Sequence, residues 1–193
     1  MAQADLFTGH VGLPEGFRYQ AQLLSAAEEA ALLGMLAPLP FREFEFHGFF
    51  GKRRVVSFGW RYDFNGGGLQ KTEDIPAFLL PLRERAAGFA ELPAPSLQQV
   101  LVTEYRPGAA IGWHKDRSVF GEVVGVSLFS ASTFRMRRRS PRGWQRASLT
   151  LEPRSVYLLQ GPARTHWEHS IPAVDRLRYS ITFRNIIEPP AVR

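Results

Sequence analysis

The sequence of 193 residues contains no cysteine. That absence excludes a disulfide framework, a thiolate zinc site and a cysteine nucleophile together. It suits a reducing compartment, so a cytoplasmic location is expected. No run of about 18 uncharged apolar residues occurs, so no membrane-spanning helix and no membrane partner are expected. Met1 to His10 lack a basic segment followed by an apolar stretch, and no secretory leader is expected. Acidic residues are also missing from one long stretch. Between Glu122 and Glu152 there is none, while arginine stands at 135, 137, 138, 139, 142 and 146. What the chain has in quantity is hydrophobic residues, 45%, and aromatic ones, 12%, against only 22% charged. Such a composition can enclose a core and excludes disorder as the main state. The net charge of +6 permits polyanionic partners without naming one.

Two helices are expected in the first half. Ser25 followed by Glu28 is a capping box that opens a helix over Ala26 to Leu36, which Pro38 and Pro40 close. A stripe of Ile75, Phe78, Leu79, Leu82, Ala86 and Phe89 predicts a second helix over Asp74–Ala90, with Pro76 in its first turn. Between them, residues 41–64 are dense in aromatics. They read as two short strands joined at Gly48–Lys52 and ending at Asn65-Gly66-Gly67-Gly68. After Pro95, strands are expected at 97–105, 123–129, 132–138, 147–151, 155–159 and 178–186. The class is α+β, mainly β: an antiparallel sandwich or barrel following two helices. No repeat or low-complexity linker interrupts it, and one domain is expected.

Five histidines occur: His10, His47, His114, His166 and His169. His114 stands two residues before a carboxylate, Asp116. On a strand, positions i and i+2 share a face, so the two can converge. With a third ligand from His166 or His169 they would form the two-histidine, one-carboxylate face used for non-haem Fe(II). The last strand alternates strictly. Arg178, Ser180, Thr182 and Arg184 share one side, and Tyr179, Ile181 and Phe183 the other. If the first side is internal, two guanidinium groups need an anion, and a dicarboxylate fits their planar forks. If it is external, it is a solvated charged surface.

Thr103-Glu104-Tyr105, Pro107-Gly108, His114-x-Asp116, His169 and Arg178-x-Ser180-x-Thr182-x-Arg184, in that order, resemble the AlkB family of Fe(II)/2-oxoglutarate-dependent dioxygenases. The resemblance covers roughly Leu97 to Ile187. It implies a double-stranded β-helix, or jelly roll, preceded by N-terminal helices and a substrate lid. On this reading 1–92 hold the extension, helices and lid, and 93–193 the catalytic core. It further implies that His114, Asp116 and His169 bind Fe(II), the last preferred to His166 because Ser170-Ile171-Pro172 follows it. Arg184 would face the C1 carboxylate of 2-oxoglutarate. Arg178 and Tyr105 would hold its distal carboxylate, with Thr103 and Ser180 close by, both standing where many members have Asn. Ser118 stands where several nucleic-acid demethylases place an acidic residue.

On the substrate side, Phe58-Gly59-Trp60 resembles the motif whose ring stacks on a flipped base, although Trp60 also reads as a core aromatic. Arg53 and Arg54 could reach phosphates. The arginine-rich stretch reads as a hairpin with Pro141-Arg142-Gly143 at its tip, so Arg137 and Arg139 could lie along a phosphate backbone. They could equally guard an edge strand. The expected function is oxidative demethylation of N-alkylated bases in DNA or RNA, single-stranded or flipped, using O2 and releasing succinate, CO2 and an aldehyde. The alternatives are a dioxygenase acting on a protein side chain or small molecule, and a non-catalytic jelly roll that binds nucleic acid. A monomer is expected.

Overall fold

The capping box forms as the sequence requires. Ser25 Oγ accepts from the backbone N–H of Glu28, whose carboxylate accepts from Ser25 N–H at 2.8 Å. It starts α1 (Ala26–Leu36). The computed structural model describes residues 12–46 and 49–187, so His10, His47 and the strand-joining Gly48 lie outside the described residues. Ahead of α1 runs β1 (Phe17–Gln20); after it come β2 (Arg42–Phe46), β3 (Phe49–Phe58), β4 (Trp60–Asp63) and β5 (Gly68–Lys71). A single 3₁₀ turn, Ala77–Leu79, leads into α2 (Leu80–Ala90). The rest is mainly strand: β6 (Leu97–Tyr105), β7 (Ile111–His114), β8 (Phe120–Leu128), β9 (Ser132–Ser140), β10 (Gly143–Leu151) and β11 (Ser155–Leu159). A short α3 (Gly161–Thr165), β12 (Glu168–Ile171) and β13 (Arg178–Ile186) complete it.

These strands build a jelly roll. A seven-stranded sheet has the order β1-β11-β8-β13-β6-β3-β2 and a four-stranded sheet the order β10-β9-β12-β7, with β4 and β5 as a separate ribbon. Every pairing is antiparallel. The large sheet carries a core on each face. Its outer face, with Val100, Val102, Val126, Ile181 and Phe183, packs on Leu32 and Leu36 of α1 and Leu82 and Ala86 of α2. Each such buried aliphatic or aromatic side chain contributes about 1.5–3 kcal/mol. Its inner face, with Tyr105, Val123, Tyr157 and Leu159, packs on Phe134, Met136, Leu151 and Ile171 from the small sheet. Alternation along one strand therefore feeds two cores, and residues 178, 180, 182 and 184 belong to the inner one.

The structure differs from the sequence-based expectation in several places, and β7 and β12, which carry His114 and His169, are strands beyond the expected ones. The second helix starts at Leu80 rather than Asp74, and the proline in its first turn is Pro81, not Pro76. Residues 49–52, expected in a turn, are strand. The expected strand break at the glycine run is present, and beyond it β5 pairs back on β4. β1, expected as an extended lead-in, completes the edge of the large sheet by pairing with β11.

Candidate active site

His169 stands opposite His114 in the β12–β7 pair. Asp116 lies just past the end of β7, and the ligand atoms of all three lie within 4.8 Å of one another. His114 Nδ1 is 2.9 Å from the carbonyl oxygen of Gly112. A carbonyl can only accept, so Nδ1 carries the proton and Nε2 keeps its lone pair for a metal. His166, the other candidate, is exposed at the end of α3 and takes no part.

Burial dominates the electrostatics. It lowers the His114 pKa, and burial followed by the neighbouring imidazole holds His169 down at about 3. Burial would raise Asp116, but Arg184, His169, His114 and Arg164 outweigh it and hold the carboxyl well below its usual range. At neutral pH the three groups thus present two neutral imidazoles and one carboxylate. The 3.6 Å approach of His169 to Asp116 is accordingly no ion pair. Asp116 Oδ1 accepts from Arg184 Nε at 2.9 Å, whereas Oδ2 is buried with no hydrogen-bond partner. An orphaned carboxylate oxygen between two imidazoles is a donor set that fits a divalent transition metal.

Beside this cluster the inner face of the large sheet is polar and buried. Arg178 is 1% exposed; its Nε and Nη2 donate to Ser127 Oγ at 3.3 and 3.1 Å, and its guanidinium lies 4.8 Å from the centre of the Tyr105 ring. Its Nη1 is buried without a partner. Ser180 stands in register with Thr103 on one side and Ser127 on the other, which makes a row of hydroxyls across the sheet. Arg184 donates to Asp116 and to Gln99 Oε1. The solvated-surface alternative for this strand does not hold: these side chains are internal. A buried guanidinium with a free edge, flanked by hydroxyls, fits a carboxylate-bearing cosubstrate.

The substrate-side expectations divide along β3. Arg53 faces inward, 3.8 Å over the Phe44 ring, and burial, together with Tyr105, Arg184 and Asp116, sets its electrostatics. Arg54 faces the other way. It grips Glu104 through two bonds of 2.8 and 2.9 Å on the outer face, where Tyr179 also donates to that carboxylate. Phe58, on the same outer side, is 3% exposed in the core beneath the helices. The register with β6 puts both on the outer face of the large sheet, opposite the metal cluster. At Gly59, φ +73°, the chain bends so tightly that a Cβ would stand 2.1 Å from the Gln98 carbonyl oxygen. The bend carries Trp60 into a separate cleft with Lys71, Ile75 and Leu80, away from the histidines. The rings beside the metal loop are instead Tyr62 and Phe64. Arg117, next to Asp116, lies 5.0 and 5.1 Å from their centres, and Phe64 meets Phe44 edge-on. The sequence signal for them was their place in the aromatic run, without anything to rank them above Trp60. Ser118 is exposed.

The arginine-rich stretch does form a hairpin, β9–β10, in full register from Ser132–Leu151 to Ser140–Gly143. Its outer face interleaves cations and indoles: Arg137 lies 4.4 Å from the Trp113 ring and 4.3 Å from Trp144, and Arg139 4.6 Å from Trp144. Arg137, expected along a phosphate backbone, is half-buried and paired with Glu168 at 2.6 Å. Arg138 donates to Gln145. Arg139, Arg142 and Arg146 are exposed. A cleft of about 540 Å³ opens here, with Lys115 and His166 on its wall.

Comparison with known proteins agrees with this geometry. The profile of the 2OG-Fe(II) oxygenase superfamily matches residues 16–184. An Arabidopsis thaliana protein named "Alkylated DNA repair protein ALKBH8 homolog" is 28% identical over 160 residues, which cover 69% of this chain and 46% of that one. The mouse protein "DNA oxidative demethylase ALKBH2" is 30% identical over 144 residues, covering 67% and 58%. The chain thus spans about half the length of the curated relatives it matches. The solved "structure of OsALKBH1" superposes with a TM-score of 0.66 at 16% identity, covering 90% of this chain and 98% of that one, a likeness of fold. The AlkB resemblance of the motifs is thereby borne out.

Proposed function

The chain belongs to the 2OG-Fe(II) oxygenase superfamily, and we propose that it is an AlkB-like dioxygenase that removes N-linked alkyl groups from bases of DNA or RNA. The observation that carries this reading is the cluster of His114, Asp116 and His169 beside a buried guanidinium edge of Arg178 that no described residue satisfies. When bound, Fe(II) with 2-oxoglutarate and O2 supplies one oxygen atom to the N-alkyl carbon, the other entering succinate as CO2 leaves; the resulting hemiaminal releases an aldehyde and the free base nitrogen.

The protein's part is to hold and exclude. His114, Asp116 and His169 supply three ligands with a net charge of about one negative, which suits a divalent ion. Arg184, bonded to Asp116, couples the ligand carboxylate to the C1 end of the cosubstrate. Arg178 and Tyr105 receive the distal carboxylate, with Thr103 and Ser180 in the adjoining row. Arg53, Phe44, Tyr62 and Phe64 make an aromatic and cationic mouth, which suits a flat base swung out of its stack. The exposed Arg139, Arg142 and Arg146 of the hairpin, with Trp144 beside Arg139, offer a phosphate backbone both charge and stacking surface. The names carried by the relatives point to the same substrate class. The sharing of one sheet by both cores favours a single domain over 1–193, and the cysteine-free composition favours a cytoplasmic protein; we take it as a monomer. Among the described residues no helix is long and apolar enough to cross a membrane.

The test is a panel of N-methylated single-stranded oligonucleotides incubated with protein, Fe(II), 2-oxoglutarate and ascorbate and read by mass. Loss of a methylene mass from at least one member is the expected result. Turnover of methylated peptides with none of oligonucleotides would overturn the nucleic-acid reading.

A further inference from the structure

Tyr157 hydrogen-bonds to neither the metal-ligand cluster nor Arg178 and Arg184. It lies on the inner face of β11, in register with Gly125 of β8, which is itself in register with Thr182 of β13. Its ring lies flat across that glycine: a Cβ at Gly125 would fall 2.2 Å from the ring and 2.5 Å from the phenolic oxygen. The side chain thus reaches from β11 over β8 toward β13. Its hydroxyl ends over Gly125, opposite Thr182 in the inner-face row of Arg178, Ser180, Thr182 and Arg184. From above, the ring is pinned by Phe134 at 4.9 Å, and Phe134 stacks on His169 at 5.3 Å.

The hydroxyl makes no hydrogen bond with any described residue, although Tyr157 is only 7% exposed. Unlike Arg178 Nη1, its oxygen is not sealed from solvent, so its O–H is open to an acceptor entering the pocket. The groups that act on it most strongly after burial are Tyr105 and Arg178, ahead of Asp116 and Arg184. Arg178 reaches Ser127, two residues along β8 from Gly125 on the same face, so the two side chains converge on neighbouring positions of β8. Burial also raises its pKa, so it remains a proton donor through the neutral range. Arg178 Nη1 is orphaned in the same space.

We infer that Tyr157 is a specificity-determining residue of the cosubstrate pocket, its hydroxyl donating to the distal carboxylate of a dicarboxylate beside Arg178 and Tyr105. Gly125 is the condition for it, because any side chain there would lift the ring off the floor. The inference rests on the 2-oxoglutarate reading above. The two are separable by calorimetric titration of the full-length protein loaded with Mn(II), using 2-oxoglutarate and 2-oxopentanoate, which has a methyl in place of the distal carboxylate. Wild type should prefer 2-oxoglutarate. Tyr157→Phe keeps the ring contacts with Phe134 and Gly125, and should weaken 2-oxoglutarate about tenfold, as expected for losing a hydrogen bond to a charged group. It should leave 2-oxopentanoate unchanged, so discrimination narrows. Gly125→Ala should narrow it in the same way. Equal 2-oxoglutarate affinity in wild type and Tyr157→Phe would overturn the inference while the cosubstrate reading stands. So would an equal loss for both acids. A wild type that binds neither acid would overturn the cosubstrate reading itself, and the inference with it.

Discussion

His114 and His169 face each other across the β7–β12 pair with ring centroids 4.2 Å apart. Register alone brings them together, since residues opposite each other in an antiparallel pair hold their side chains on one face within reach. Phe134 stacks behind His169 and Gly112 fixes the His114 ring, so both imidazoles are aimed before any metal arrives. Their lowered pKa values have the same origin as their aim. Burial that removes water also keeps them neutral, which is the form a metal needs.

Asp116→Asn is the sharpest test of the cluster. It retains the shape, and one oxygen can still accept from Arg184, but the charged donor is gone. Mn(II) affinity should fall by more than the roughly 10–100-fold that loss of a ligand's supporting partner costs, and turnover should vanish. Circular dichroism should be unchanged. Wild-type Mn(II) affinity in purified Asp116→Asn would show that these residues are not the metal site.

Arg178→Ala and Arg184→Ala should fail differently. Among the described residues Arg178 hydrogen-bonds to Ser127 alone and lies over the Tyr105 ring, so its loss should raise the 2-oxoglutarate requirement by about tenfold or more with maximal turnover largely kept. Arg184 also anchors Asp116. Its loss should lower maximal turnover as well. Steady-state kinetics against 2-oxoglutarate separates the two, and an unchanged requirement in both would remove β13 from cosubstrate binding.

Much of this site was legible because its strands alternate strictly. Period 2 put Arg178, Ser180, Thr182 and Arg184 on one face, and β6, β11 and β13 fall on the expected spans. What periodicity could not supply was register. Arg53 and Arg54 are equivalent as sequence, yet pairing with β6 sends one inward and the other to Glu104. Trp60 was the more prominent ring, and a left-handed glycine beside it turned it away. The arginine stretch held no acid of its own, but β12 delivers Glu168 to Arg137 from across the sheet. Tyr157 over Gly125 is a contact between two strands, invisible along either.

The capping box makes acid stability specific. Glu28 is held at about 2 by its bond from Arg85 and those from Ser25, below the ordinary 4.5. Its contribution is therefore complete above about pH 4.5 and lost as pH falls toward 2. Glu28→Gln should lower the melting temperature at pH 7 and lose less on acidification, so that the two profiles converge near pH 2. Thermal melts of both proteins between pH 2 and pH 7 test this. Parallel profiles would mean that the carboxylate gains nothing from these partners.

The basic hairpin offers two kinds of arginine, and they should answer differently. Arg139, Arg142 and Arg146 are exposed, whereas Arg137 is locked between two indoles and Glu168. If the exposed three meet a phosphate backbone, replacing them with Gln should weaken oligonucleotide binding whatever its sequence. The slope of log affinity against log salt should flatten by ~0.7 per lost contact on a single strand. The turn between β9 and β10 lets only some of them reach one strand, so a change of one or two contacts is expected. Arg137→Gln should leave the slope nearly unaltered, because its charge is already spent on Glu168, and should instead lower thermal stability. β10 is the edge of the small sheet, and its charges also discourage edge-to-edge pairing. Sedimentation of the triple variant therefore accompanies the salt titration. Self-association with an unchanged salt slope would make these arginines guards of an edge and leave the nucleic acid to be held by the mouth alone.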